Sequence, residues 1–350
     1  MKVALVIGPY RSGECGVGDY TMCLRDALNK LGVDAQVVTC GDWRVRAISK
    51  TRDALRTAGF DIVHIQYPTA GFGTKLTAQA LALLQPCVTT IHEASERHFL
   101  RKLSLLPFAV RPQHLIFTSS FERRFAAKWA PWISRCSSVI PVGSNIPAAD
   151  RGGARDARQI VHFGLILPKK GLEDVVELGR LLKQAELPLV IHVIGRVPPR
   201  HAGYFDMLQS ASAGLPIVWH GGLSEEEVAR KLVESWVAYL PFPDGASDRR
   251  TTLKAALQSG LVVVTTEGPH TPRDLHNLVK FCADPQQAFT TIRALIDDHG
   301  RLADMSAKAA QYGRRFSWEY IAGLHLRVYG SVLTKSSSVR HWPRMPVSRE

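Results

Sequence analysis

The chain has 350 residues, 45% hydrophobic and 21% charged, an ordinary globular composition that excludes a disordered protein. One hydrophobic core rarely serves so long a chain, so two α/β domains of about 150 residues each are expected. The formal net charge of +13 favours anionic partners: nucleotide phosphates, an acidic membrane surface or nucleic acid.

Lys2 to Ile7 reads as a first buried strand, followed by a Gly-rich loop and a helix from Tyr20 to Leu31 that Gly32 stops. Ala35 to Thr39, Asp61 to Ile65, Cys87 to Ile91, His114 to Thr118 and Ser138 to Ile140 are further strands at βα spacing. Residues 1–147 form the first domain. A stretch rich in Pro, Gly and charge, 148–158, reads as the linker. The pattern restarts in a second domain, 159–315. Its strands are Gln159 to Gly164, Leu187 to Ile194, Ile217 to Trp219, Val237 to Leu240 and Val262 to Thr265. Its helices include Leu172 to Gln184, Ser224 to Ser235 and Thr252 to Ser259, the second opened by a Ser224/Glu227 capping box. Residues 316–334 read as a closing helix and 335–350 as a frayed tail. Six cysteines are scattered without a C-x-x-C pair, which argues against a zinc site and for reduced thiols in a cytoplasmic protein. No run reaches the ~20 apolar residues needed to span a bilayer, and the N-terminus lacks a signal-peptide core. A soluble chain, or one peripheral to the inner face of the membrane, is expected.

Four constellations carry chemistry. Gly16 and Gly18, with Asp19 and Tyr20, open a helix after the first strand, where bare N–H groups face an anion. The spacing is not that of a dinucleotide fingerprint, and no acid follows the second strand directly, so an NAD-dependent enzyme is the weaker reading. His92 and Glu93 lie at the carboxyl end of the strand ending at Ile91, where ligands of open α/β sheets bind; His92 can bond a sugar hydroxyl or shuttle a proton. Lys169 and Lys170 follow another strand end and suit a diphosphate. Asp244, Ser247, Arg249, Arg250, Thr251 and Thr252 gather a carboxylate, hydroxyls and cations at one helix N-terminus, a set suited to a sugar diphosphate.

Together these segments resemble the GT-B-fold glycosyltransferases, in particular the retaining group called family 4. The likeness rests on GECGVGDYTMCLRDALNKLGVDAQVVT, VTTIHE, VHFGLILPKKGLEDVVELG, LVIHVIG, LPFPDG and LKAALQSGLVVVTTEG, and covers nearly the whole chain. It implies an α/β architecture of two Rossmann-like domains facing across a cleft. It implies transfer of a sugar from a nucleotide donor to a glycan, lipid-linked or small-molecule acceptor. Configuration would be retained, and neither a metal nor a cofactor beyond the nucleotide sugar is required. His92 matches the histidine that contacts the transferred sugar, and Lys170 the lysine that neutralises the leaving diphosphate. Asp244 stands at the first glutamate of the E-x7-E motif; Gly16, Gly18 and Gly195 border the donor, and Asp19, Tyr20 and Glu93 lie on the acceptor side.

Two positions depart from that pattern. Leu165 occupies the place of a phosphate-binding arginine, and the second glutamate falls near Lys254 or Ala255. Arg249 and Arg250 restore the lost charge on this reading. The departures keep a second class open: a non-catalytic relative that binds a nucleotide sugar or a protein partner. Residues 96–135 are basic and aromatic and suit contact with anionic lipid or, equally, form a solvated cationic face. Nucleic acid is not expected, because no binding module is present.

Overall fold

The computed structural model describes residues 1–11, 15–39, 45–73, 75–93, 95, 103–110, 112–147 and 155–340. Parts of the Gly-rich loop (12–14), the linker (148–154), the basic segment (94, 96–102, 111) and the tail (341–350) lie outside the described residues. The chain divides into two compact units: Met1–Val142 with the residues from Trp318 onward, and Gly143–Ser317.

The first unit holds β1 (Lys2–Ile7), β2 (Asp34–Thr39), β3 (Ile62–Tyr67), β4 (Val88–Ile91), β5 (His114–Phe117) and β6 (Ser137–Val139) in a parallel sheet ordered β2-β1-β3-β4-β5-β6. The apolar run of β1 is buried on both faces, as a central parallel strand must be. Consecutive crossovers reverse direction between β1 and β3, and such a switch point is where an open sheet leaves a crevice at its carboxyl edge. Helices Gly16–Lys30 and Trp318–Arg340 share one apolar cluster, in which Leu24 and Leu28 meet Ile321 and Tyr329.

The second unit holds β7 (Asp156–Phe163), β8 (Val190–Ile194), β9 (Ile217–His220), β10 (Ser235–Leu240), β11 (Val262–Thr265) and β12 (Lys280–Phe281), parallel in the order β12-β11-β10-β7-β8-β9. Its switch point lies between β7 and β10. Helix Leu172–Gln184 starts after Gly171, in the left-handed region at φ 76°, and buries Leu172, Val175, Val176, Leu178 and Leu182. Ser224 and Glu227 complete the capping box of helix Glu225–Glu234.

The chain departs from the sequence reading at several places. The first helix begins at Gly16, four residues before Tyr20, so the glycines lie in its first turn. Residues 156–158, assigned above to the linker, are the start of β7. The last helix continues to Arg340, so 335–340 are helical rather than frayed. Helices Val45–Thr57 and Thr77–Leu84 were not expected.

Candidate functional site

In the first unit the polar residues near the carboxyl edge form a connected, buried chain. His92 follows β4 directly, and its Nε2 lies 3.0 Å from Gln66 Oε1. Gln66 Nε2 lies 3.2 Å from His64 Nε2, which also meets Thr90 Oγ1 at 2.7 Å. His64 Nδ1 reaches Tyr329 Oη at 2.7 Å. His64 and Gln66 sit two residues apart on β3, hence on one face of it, and both are wholly buried. The Tyr20 ring stands edge-on to His92 at 4.8 Å, and its hydroxyl lies 3.4 Å from His325 Nε2.

Burial and then the charge of His325 push His92 down to about 3. The same causes, in the same order, hold His64 well below the usual histidine range, and burial lowers His325 to about 4. These rings are therefore neutral at physiological pH. His92 is suited to exchange hydrogen bonds with a hydroxyl and not to carry a proton by titrating near 7.

The remaining first-unit candidates fare differently. Tyr20, expected on the acceptor side, is buried and packs edge-on against Trp318 of the last helix at 5.1 Å. Asp19 accepts a 2.5 Å hydrogen bond from the Tyr10 hydroxyl. A Cβ at Gly18 would overlap the Tyr10 ring, so this glycine serves that packing, whereas Gly16 has open space beside it. Glu93 is half-buried just past β4.

In the second unit, the loops after β7, β8 and β9 line a cavity of 520 Å³ with Asn145, Thr251 and Thr252. Gly164 and Gly195 lie on its wall. A Cβ at 195 would overlap the Gly164 carbonyl, so only glycine lets the two strand ends approach this closely. Helix Thr251–Gln258 opens beside the cavity with no side-chain cap from Arg250, which leaves its first N–H groups to an outside acceptor. A Cβ at Gly171 would overlap the Pro241 carbonyl, and this contact presses the Lys169–Lys170 loop onto the loop after β10. Burial, and then the nearby Arg250 charge, lower the Lys170 amine below its ordinary value. Two cations so close favour an anion between or beside them. Arg250 stacks on Phe242 at 4.6 Å and pairs with Asp244, whose carboxylate is otherwise exposed. Ser247 is half-buried, and Lys169 and Arg249 are exposed.

No family model matches the chain. A curated relative, UDP-N-acetylglucosamine–N-acetylmuramyl-(pentapeptide) pyrophosphoryl-undecaprenol N-acetylglucosamine transferase of a Mycobacterium species, is 27% identical over 312 residues, covering 81% of this chain and 75% of its own. A glycosyltransferase from Rickettsia africae superposes with a TM-score of 0.71 at 16% identity, covering 95% of this chain and 98% of that one. Sucrose-phosphate synthase of Thermosynechococcus elongatus gives 0.66 at 15%, covering 96% and 100%. HepE of Anabaena, solved with UDP and glucose, gives 0.62 at 14%, covering 97% and 100%. The fold is that of the GT-B glycosyltransferases.

On this GT-B chain, the structure brings Gly195, Thr251 and Thr252 to one cavity and Lys170, Asp244 and Arg250 to one pair of loops. Arg196 lines the cavity and was missed, although its place directly after a strand-end glycine was a usable signal. Leu165, at the expected arginine position, is 44% exposed on the cavity wall. Lys254 is buried, its ammonium makes no hydrogen bond among the described residues, and the Phe316 ring lies 5.4 Å away. Burial drops this amine to about 8 against the opposing pull of Asp248. Gln66 was also missed; a polar residue two positions from His64 on a buried strand was the available clue.

Proposed function

We propose that the protein is a glycosyltransferase that moves a sugar from a nucleoside-diphosphate donor, bound at the carboxyl edge of the second sheet, to an acceptor hydroxyl. One observation carries the reading: a glycine-opened cavity, an uncapped helix N-terminus and the neighbouring Lys170 and Arg250 offer N–H groups and positive charge to a diphosphate. The chemistry needs just that, because negative charge builds on the leaving diphosphate as the glycosidic bond breaks. His92 supplies a neutral hydrogen-bonding group for a sugar hydroxyl.

UDP is the first donor nucleotide to test, since UDP appears in the name of the Mycobacterium relative and in the HepE complex. That relative's name also specifies an undecaprenol-linked substrate, which favours a lipid-linked acceptor here. Transfer proceeds with retention, as in family 4, and without a metal, because lysine and arginine supply the charge; EDTA should leave the rate unchanged. The decisive assay is transfer or hydrolysis of UDP-sugars, with the anomeric product read by NMR. Donor binding without turnover would favour a non-catalytic binder, the reading that Leu165 and the buried Lys254 support.

A surface of the first unit fits an acidic membrane. Trp129 is 58% exposed and Trp132 54%, beside the exposed Leu103, Leu106 and Val110. Arg124, Lys128 and Arg135 are exposed near them, while the one described acid in this stretch, Glu122, is turned inward onto Ser95 at 2.7 Å. Aromatic and basic side chains together suit anionic headgroups. No described helix is long and apolar enough to cross a membrane. Sedimentation with phosphatidylglycerol vesicles but not phosphatidylcholine vesicles is expected; equal sedimentation would remove the proposal.

A further inference from the structure

We infer that Gln66 is a positioning residue for His92: its amide holds the His92 ring as the Nε2–H tautomer and leaves a bare Nδ1 to accept a hydrogen bond from a sugar hydroxyl. The identity of that hydroxyl rests on the transferase reading above; the tautomer rests on the Gln66 amide presenting its oxygen to His92.

A neutral imidazole has one donor and one acceptor nitrogen, and the bond made by one fixes the role of the other. Gln66 is wholly buried between two such rings. Its oxygen, which can only accept, faces His92 Nε2 at 3.0 Å, so the His92 hydrogen lies there. Its nitrogen, which can only donate, faces His64 Nε2 at 3.2 Å, so that atom is an acceptor, and the Thr90 hydroxyl, 2.7 Å from the same nitrogen, donates to it as well. The His64 hydrogen is then on Nδ1, directed at Tyr329 Oη, 2.7 Å away. Donors run in one direction: from His92 to Gln66, to His64, to a tyrosine on the last helix.

Other contacts make the arrangement rigid. The Tyr20 ring braces the His92 plane edge-on, and the His92 backbone carbonyl accepts from Thr118 Oγ1 at 3.1 Å. Among the described residues His92 Nε2 is bonded within the protein, and Nδ1 is left for a ligand. Burial keeps both rings neutral, so tautomer identity, not protonation, is the variable that Gln66 controls. A ring free to exchange tautomers would present an N–H or a lone pair at the same place, and part of the population would oppose the hydroxyl donor.

The test uses the full chain labelled with 15N-histidine, with long-range 1H–15N spectra assigned by loss of the His92 signals in His92→Asn. The wild type should show His92 protonated on Nε2 only and His64 on Nδ1 only. Gln66→Leu should populate both His92 tautomers. Gln66→Glu, whose carboxylate accepts from both rings, should keep His92 on Nε2–H and move the His64 hydrogen to Nε2. In turnover, Gln66→Leu should lower kcat about 10-fold with donor KM within about 2-fold, and Gln66→Glu should recover most of the loss. A wild-type His92 on Nδ1–H, or a tautomer indifferent to Gln66→Leu, overturns the inference. Should Gln66→Leu not fold, the wild-type and Gln66→Glu spectra still decide. The expected spectra without turnover of any nucleotide sugar would refute the transferase reading and leave the tautomer lock standing.

Discussion

The two units use the carboxyl edges of similar parallel sheets in opposite ways. The first backs His92 at its edge with buried neutral groups already bonded to one another: Gln66, His64, Thr90 and Tyr329. The second lines its edge with glycines, an uncapped helix N-terminus and the cations Lys170 and Arg250. A preorganised neutral network suits a sugar hydroxyl, which carries no charge and needs direction. Cations and uncapped N–H groups suit a diphosphate, on which negative charge would build during transfer.

The division can be broken most severely at Lys170. Lys170→Ala should lower kcat by about 10²–10³-fold, the usual cost of losing one group aimed at developing charge. Single-turnover rates within about 3-fold of wild type would place the charge elsewhere. Removing the neutral partner should cost less: His92→Ala is expected to slow transfer about 10- to 100-fold. Because His92 titrates at about 3, its neutral form is complete at both pH 5.5 and pH 8.5, so the fold-loss should be equal at the two. A loss that shrinks below pH 6.5 would mean that the ring titrates normally.

Lys254 is the buried cation of the second unit, its ammonium without a hydrogen-bond partner among the described residues. Its amine is lowered from 10.5 to about 8, so the unfolded chain binds more protons than the folded one between those values. Stability therefore rises with pH across that window, and the full penalty is present below 8. Lys254→Met should stabilise the protein at pH 7 by about 2 kcal/mol in urea unfolding, with the gain fading toward pH 10.5. A constant or negative effect would show that Asp248 fully compensates the buried charge. The smallest effect concerns the scaffold: Ser224→Ala should cost about 1 kcal/mol in urea unfolding through the lost capping box.

The fold was legible where one residue type decides a boundary. Helix Leu172–Gln184 follows Gly171 and carries a clean apolar stripe, and β11 is a run of valines before Thr265. The first helix began earlier than read because glycines usually break helices, yet here Gly18 makes room for Tyr10. With that helix start, Tyr20, read above on the acceptor side, packs edge-on against His92. Candidate cations and glycines were visible because they cluster in sequence around strand ends. Gln66 and His64 were not, since the bond from His64 to Tyr329 joins residues 265 positions apart, and no local pattern encodes it.

Calorimetric titration of UDP and UDP-sugars into wild type, Lys170→Ala and His92→Ala tests the division most directly. The account requires UDP to bind the wild type and His92→Ala within about 2-fold of each other and Lys170→Ala at least about 10-fold more weakly. Equal UDP affinity in Lys170→Ala, or a loss confined to His92→Ala, would contradict it.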